Sequence, residues 1–296
     1  MIKFEKKIPK GFKKSISLPG SEDEARVWQE ENRRWWNENP MRYDWNSKIK
    51  PEEFSKEFYQ EIDSRFFSNA EEYFPADKKP FDFLIDFSSL VNKDVLEIGV
   101  GSGSHAQLLA ENAKSFIGID ITDYAVNSAK KRFEIFNLPG KIIKMDAETL
   151  DFKDNSFDFV WSWGVIHHSS NTEKILKEIK RVLRPGGEAV IMVYHKGWWN
   201  YYFMGIVKGV ISGELFKTKS LHKTVQFFTD GAIARYYTIS GWRFLMRNIL
   251  KLNYAAVFGP NSDALRLPRS VPHAIAGFFT HNLRMGSFLV SRLKKV

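Results

Sequence analysis

The sequence contains no cysteine. Disulfides, thiolate metal sites and cysteine nucleophiles are thereby excluded, and the absence fits a reducing compartment. There is no run of about twenty apolar residues, so no segment reads as a spanning helix. The basic start, Met1 to Gly20, lacks an apolar centre and does not read as a secretory signal. These absences together point to a cytoplasmic location. No repeat or low-complexity stretch is present, and no third ligand stands at a spacing that would support a metal site. Acids are scarce in one region. From His195 to Val296 there are fifteen Lys or Arg against three acids, a net +12, which leaves −3 on the first 194 residues of a chain whose total is +9. Such a split points the C-terminal third at an anionic partner, with a solvated basic surface as the alternative.

What is present is most informative at Val95-Leu96-Glu97-Ile98-Gly99-Val100-Gly101-Ser102-Gly103. Val95, Leu96 and Ile98 read as a buried strand, three alternating glycines as a turn, and His105 to Asn112 as the following helix. Glycine lets a ligand approach the backbone closely. Strand, glycine turn and helix make a nucleotide-type site at the C-terminal edge of a parallel sheet. Ser115 to Asp120 reads as a second strand that ends in a carboxylate able to accept from both hydroxyls of a ribose. Gly101-x-Gly103-x-x-Ala106 also satisfies a dinucleotide fingerprint, so the loop alone does not name its ligand.

The 296 residues, 43% of them hydrophobic, suit one α/β domain with added elements. Residues 1–20 read as a flexible tail. Ser21-x-x-Glu24 is a capping box opening a helix with Trp28, Trp35 and Trp36 that stops before Pro40. Pro51 is read as the start of a second helix with Phe54, Phe58, Ile62 and Phe66 on one face. Residues 21–90 are accordingly expected to form a helical lid over the site, with plain core packing as the alternative. From Val95 strands and helices alternate. Strands are expected at 141–145, 157–163 and 188–194, with a helix capped by Ser170 between the last two. This implies a doubly wound, mostly parallel sheet. Residues 91–195 are the expected binding core and 196–280 a basic, aromatic, α-rich insertion facing the substrate. Residues 281–296 contain a closing strand of the core sheet at Leu283 to Arg292. Between Trp242 and Lys251 a strand and a helix fit equally well.

The order and spacing of five further pieces carry a family resemblance. They are Asp146-Ala147-Glu148, Asn155-Ser156-Phe157-Asp158, Ser162-Trp163-Gly164-Val165, Ile166-His167-His168 and Arg181-Val182-Leu183-Arg184-Pro185-Gly186-Gly187. With the glycine loop and Asp120, residues 93–195 closely resemble a class I S-adenosylmethionine-dependent methyltransferase. The likeness is to the methyltransferase type 11-like branch, which acts on small molecules, quinones and lipids. Thr229-Asp230-Gly231 and Arg235-Tyr236-Tyr237 also resemble segments of bacterial members.

The resemblance implies a Rossmann-like fold and S-adenosyl-L-methionine as cofactor. It implies that Glu97 and the backbone of Gly99, Gly101 and Gly103 border the methionine end. Asp120 would hold the ribose, Ile121 would lie against the adenine, Asp146 would bond the adenine amino group and Ala147 its ring edge. Trp163 and Gly164 would wall the sulfonium. The physical reading agrees, since a buried Glu97 needs a partner and the cofactor's ammonium and sulfonium are cations. The structural alternatives are a bond from Glu97 to the glycine loop, an Asp120 cap on the next helix and a turn role for Asp146.

Methyl transfer from a sulfonium needs mainly orientation and exclusion of water, and a base only where the nucleophile must lose a proton. His168 and, less favoured, His167 emerge at the sheet's C-terminal edge as base or substrate contact. Tyr194 and His195 are a second candidate pair. The alternative for all four is a structural role in the loops. The expected partner is a small acceptor, apolar or anionic, offering an O, N, S or C nucleophile. A lipid or quinone taken at an anionic membrane surface is the alternative. RNA methylation is disfavoured, because the Asn-Pro-Pro-Tyr type motif for exocyclic amines is absent and no RNA-binding module is appended. A nicotinamide oxidoreductase fits the later motifs less well. The acceptor atom and the oligomeric state are not readable.

Overall fold

A computed structural model describes residues 16–44, 47–70, 80–260, 275 and 277–296; parts of the expected 1–20, 21–90 and 196–280 segments lie outside the described residues. Two helices come first, α1 (Glu22–Glu38) and α2 (Lys56–Ala70). The Ser21 hydroxyl caps α1 by accepting from the Glu24 amide. The second helix starts later than Pro51. Ser55 takes the capping role toward the Phe58 amide, and Phe54 stands at φ +65°, outside helical geometry.

The alternating core follows as β1 (Asp94–Ile98), α3 (Ser104–Ala110), β2 (Ser115–Asp120), α4 (Asp123–Ile135), β3 (Lys141–Lys144), β4 (Phe157–Trp163), α5 (Thr172–Val182) and β5 (Leu183–His195). Asn171 caps α5 through the Lys174 amide, not Ser170, whose hydroxyl is drawn to Glu148 at 2.7 Å. Beyond β5 come α6 (Met204–Ile211), α7 (Glu214–Thr218), α8 (Leu221–Phe227), the short β6 (Tyr236–Tyr237), α9 (Ile239–Met246), β7 (Lys251–Phe258) and β8 (Phe288–Lys294).

The sheet runs β3-β2-β1-β4-β5-β8-β7, with β6 pairing on β5. The first five strands are parallel, while β8 is antiparallel to both β5 and β7. The fold is therefore the expected doubly wound, mostly parallel sheet. The closing strand begins at Phe288 instead of Leu283. Strand β7 was not anticipated, and it returns the chain to the sheet inside the stretch read as an insertion. Thr238 caps the helix that precedes it, which settles the ambiguous region as helix first and strand after.

Strand residues alternate between two cores, as a period of two requires. Val95, Phe159, Trp161 and Val190 face α3 and α4, packing with Leu109, Val126 and Phe133. Leu96, Val160 and Ile191 face α5 and α9, packing with Leu176, Ile179, Trp242 and Met246. No helix among the described residues is long and apolar enough to cross a membrane.

Candidate active site

The C-terminal ends of the parallel strands open into one cavity of about 570 Å³, within the roughly 300–1,000 Å³ common for ligand sites. Its floor is the turn after β1. Gly99 and Gly101 line it at φ +82° and +52°, a region that disfavours side chains. A Cβ on Gly99 would overlap Val165, whereas a Cβ on Gly101 would meet none of the described residues within 4 Å. The third glycine, Gly103, also has positive φ, but it backs onto Arg132 and does not line the cavity.

Asp120 ends β2 at the cavity wall. Its Oδ2 accepts from the Gly101 amide at 3.3 Å, and its Oδ1 accepts from the Thr122 amide and hydroxyl, both at 2.9 Å. Thr122, not Asp120, caps α4. Burial raises the Asp120 pKa against the lowering effect of those bonds. Ile121, Asp146 and Ala147 continue the same wall. Asp146 Oδ1 accepts from the Glu148 amide at 2.8 Å, a turn bond, and from Gln29 Nε2 at 2.9 Å. Gln29 belongs to α1, and its Oε1 accepts from the Ser170 amide at 3.1 Å. One side-chain amide thus ties the N-terminal helix to two core loops, a contact that no sequence motif announced. Asn32 and Trp36 of α1 also line the cavity, as a lid would.

Glu97 lies one layer behind the wall, 1% exposed. Its Oε1 is 3.9 Å from His105 Nδ1, and its Oε2 has no hydrogen-bond partner among the described residues. Burial first, then the Asp120 charge, pushes its pKa well above the usual carboxylate value. Burial lowers His105 to about 3, so the imidazole is neutral and supplies no compensating charge. Arg132, 1% exposed, braces the loop from behind. It donates to the Ser102 carbonyl at 3.1 Å and to Gln107 Oε1 at 3.0 Å, and pairs with Asp63 of α2.

The far half of the cavity is aromatic. Trp163, the last residue of β4, and Gly164 just beyond it stand on its wall. His168 lines it too, with its ring edge-on to Trp36 at 4.9 Å. His168 Nδ1 lies 2.6 Å from the Ile233 carbonyl. A carbonyl only accepts, so Nδ1 carries the proton and the lone pair belongs to Nε2. His195 repeats the arrangement, with Nδ1 3.0 Å from the Gly286 carbonyl, and burial lowers its pKa. Tyr194 and Tyr236 share the wall with ring centroids 5.4 Å apart. His167 goes elsewhere. It is fully buried away from the cavity, packed against Tyr194 at 4.0 Å, and burial drives its pKa well below 6.5. The expectation that it meets an acceptor is corrected accordingly. The Ile166–His168 turn leaves only the second histidine on the cavity wall, although both are buried and their rings lie 4.2 Å apart.

Residues 96–191 match a family model described as a methyltransferase domain. That stretch begins in β1 and ends in β5, and includes the glycine turn, Asp120, Asp146 and the His168 turn. Over that stretch the chain is a methyltransferase domain.

The methyltransferase domain is similar to that of several characterised proteins. The chain is 37% identical over 106 residues to phosphoethanolamine N-methyltransferase 2 of Caenorhabditis elegans, covering 35% of this chain and 24% of that protein. It is 33% identical over 144 residues to the ubiquinone/menaquinone biosynthesis C-methyltransferase UbiE of Rickettsia prowazekii, covering 44% and 58%. It is 37% identical over 106 residues to the tRNA U34 carboxymethyltransferase of Pseudoalteromonas atlantica, covering 35% and 32%. The chain thus spans less than two thirds of each relative, and their names give three different acceptors. The names also differ in the group moved, methyl in the first two and carboxymethyl in the third, so the shared segment leaves the acceptor open.

The residues present fit S-adenosylmethionine. Gly101 leaves room at the backbone, and Asp120 and Asp146 line the cavity with acceptors for ribose and adenine. Glu97 does not line it, which corrects the expectation that it borders the methionine end, and a bound cation would act on its carboxyl across one layer of side chains. Bound there, the cofactor supplies an electrophilic methyl group on a sulfonium.

Proposed function

We propose that this chain methylates a small acceptor with an apolar body, held in the aromatic half of the cavity, at an O, N, S or C nucleophile. The observation that supports this is continuity. A single cavity is lined at one end by Asp120 and Asp146 and at the other by Trp36, His168, Tyr194, Tyr201 and Tyr236. Aromatic walls orient an apolar acceptor and exclude water, which is most of what methyl transfer asks of a protein. Where the nucleophile carries a proton, His168 is the base we assign, because it lines the cavity beside Trp36 and the Ile233 carbonyl holds its Nδ1. Its Nε2 is buried, so the ring meets the acceptor only after a local shift. Lys208 also lines the cavity, so an anionic substituent on the acceptor would be matched.

The test is label transfer from methyl-labelled S-adenosylmethionine into cell extract, with the organic-soluble, aqueous small-molecule and RNA fractions counted separately. Label in a small-molecule fraction, lost with Gly101→Arg, is expected. Label confined to RNA would overturn the proposal.

A further inference from the structure

Helix α6 is built inside out. Its small residues Gly205 and Gly209 are buried, pressed against Val225 and Thr224 of α8. Its large apolar residues face outward, with Ile206 45%, Val210 47% and Ile211 82% exposed. A helix on a water-facing surface has the opposite arrangement. The pattern extends beyond α6. Among the described residues from Trp198 to Phe228, nine large apolar side chains are between 42% and 82% exposed. Phe216 of α7 stands at 67% and Trp198 at 53%. The indole of Trp198 donates to the Leu283 carbonyl at 2.9 Å, which brings the 41% exposed Leu283 to the same surface. So many large apolar side chains exposed along one stretch of chain mark an interaction site.

Charge identifies the occupant. Between Lys196 and Phe228 the sequence holds five lysines and one acid, Glu214. That acid is neutralised by Lys217 at 2.7 Å. Exposed aromatic and aliphatic residues interleaved with lysines match an anionic lipid surface, where rings enter the headgroup boundary and lysines meet phosphate. A protein partner of ordinary composition offers no such density of negative charge.

The surface is continuous with the cavity. Gly205 and Lys208 of α6, together with Phe228, line the cavity that also holds Asp120 and Trp163. We infer that the exposed α6–α8 face docks on an anionic lipid bilayer and that the acceptor enters the cavity from the membrane beneath it. The second half of this statement rests on the methyltransferase reading above; the first does not.

The experiment is co-sedimentation of the full chain with vesicles of phosphatidylcholine alone, or phosphatidylcholine with phosphatidylglycerol, at low and high salt. Binding is expected only with phosphatidylglycerol and is expected to weaken with salt. Ile211→Glu combined with Phe216→Glu should lower the partition coefficient by about tenfold or more, since two apolar side chains lose their burial. Neither residue lines the cavity, so S-adenosylmethionine affinity should be unchanged, which also shows that the variant is folded. Absence of vesicle binding would overturn the inference. So would binding that the double variant leaves intact, because another basic surface would then be responsible. A wild-type dimer dispersed by the double variant would assign the face to a second copy of the chain instead. If the wild-type chain binds vesicles but no S-adenosylmethionine, the functional reading fails while the docking surface stands.

Discussion

Replacing Gly101 by arginine separates cofactor binding from folding. Gly101 sits at φ +52°, and a Cβ there would meet none of the described residues within 4 Å. The cost to the fold is therefore the left-handed backbone alone, about 1–2 kcal/mol. In a chain of this size that lowers the melting temperature by only a few degrees, roughly 2–6 °C. The added side chain must project into a cavity of about 570 Å³, where the methionine end of the cofactor is expected. Affinity for S-adenosylmethionine should fall by about a hundredfold or more, the equivalent of roughly 2.8 kcal/mol. Gly99→Ala provides the contrast. Its Cβ would overlap Val165, so the fold itself must give way and melting should drop further than in the arginine variant. Calorimetric titration paired with thermal melts reads both quantities. If Gly101→Arg bound the cofactor with wild-type affinity, the assignment of the glycine turn to the cofactor would be wrong.

Three further outcomes follow from the same geometry. Glu97 has a raised pKa in the cofactor-free protein, so above the usual carboxylate value it holds a proton that the unfolded chain has lost, and stability declines as pH rises through that window. A bound cation reverses the preference; cofactor uptake should release a proton and tighten with pH, up to about tenfold per unit, and calorimetry in buffers of different ionisation enthalpy should show this lost in Glu97→Gln. Arg132→Met should destabilise the fold by about 3 kcal/mol, because it strips partners from Asp63 and the Ser102 carbonyl, and urea melts measure it. Gln29→Ala removes the bonds to Asp146 and Ser170, and should accelerate cofactor dissociation by about five- to tenfold, read by stopped-flow chase; an unchanged rate would show that α1 does not hold the cofactor in.

The parts of the fold legible in sequence are those with local causes. The β1 apolar run, the glycine turn and the hydroxyl cap at Ser21 each act over a few residues, whereas the cap of α4 falls on Thr122 and not on Asp120. Strand β7 was not legible because, although Lys251-Leu252-Asn253-Tyr254 alternates polar and apolar, its partner β8 begins only at Phe288, after a long excursion. Gln29 and Arg132 escaped for a related reason. Gln29 meets Asp146 across 117 positions and Arg132 meets Asp63 across 69, and neither sits in a motif. His167 and His168 are the same residue side by side; the turn decides which one reaches the cavity.

The antiparallel return of β8 has a practical consequence. Phe288 is level with Tyr194 at the cavity end of the sheet, while Lys294 pairs with Glu188 at the opposite end. The last residues therefore emerge on the side of the molecule away from the cavity. A purification tag, fluorophore or surface tether attached after Val296 would leave the cavity and the α6–α8 face unobstructed, so the chain can be immobilised by its C-terminus with both surfaces presented to ligand or vesicle.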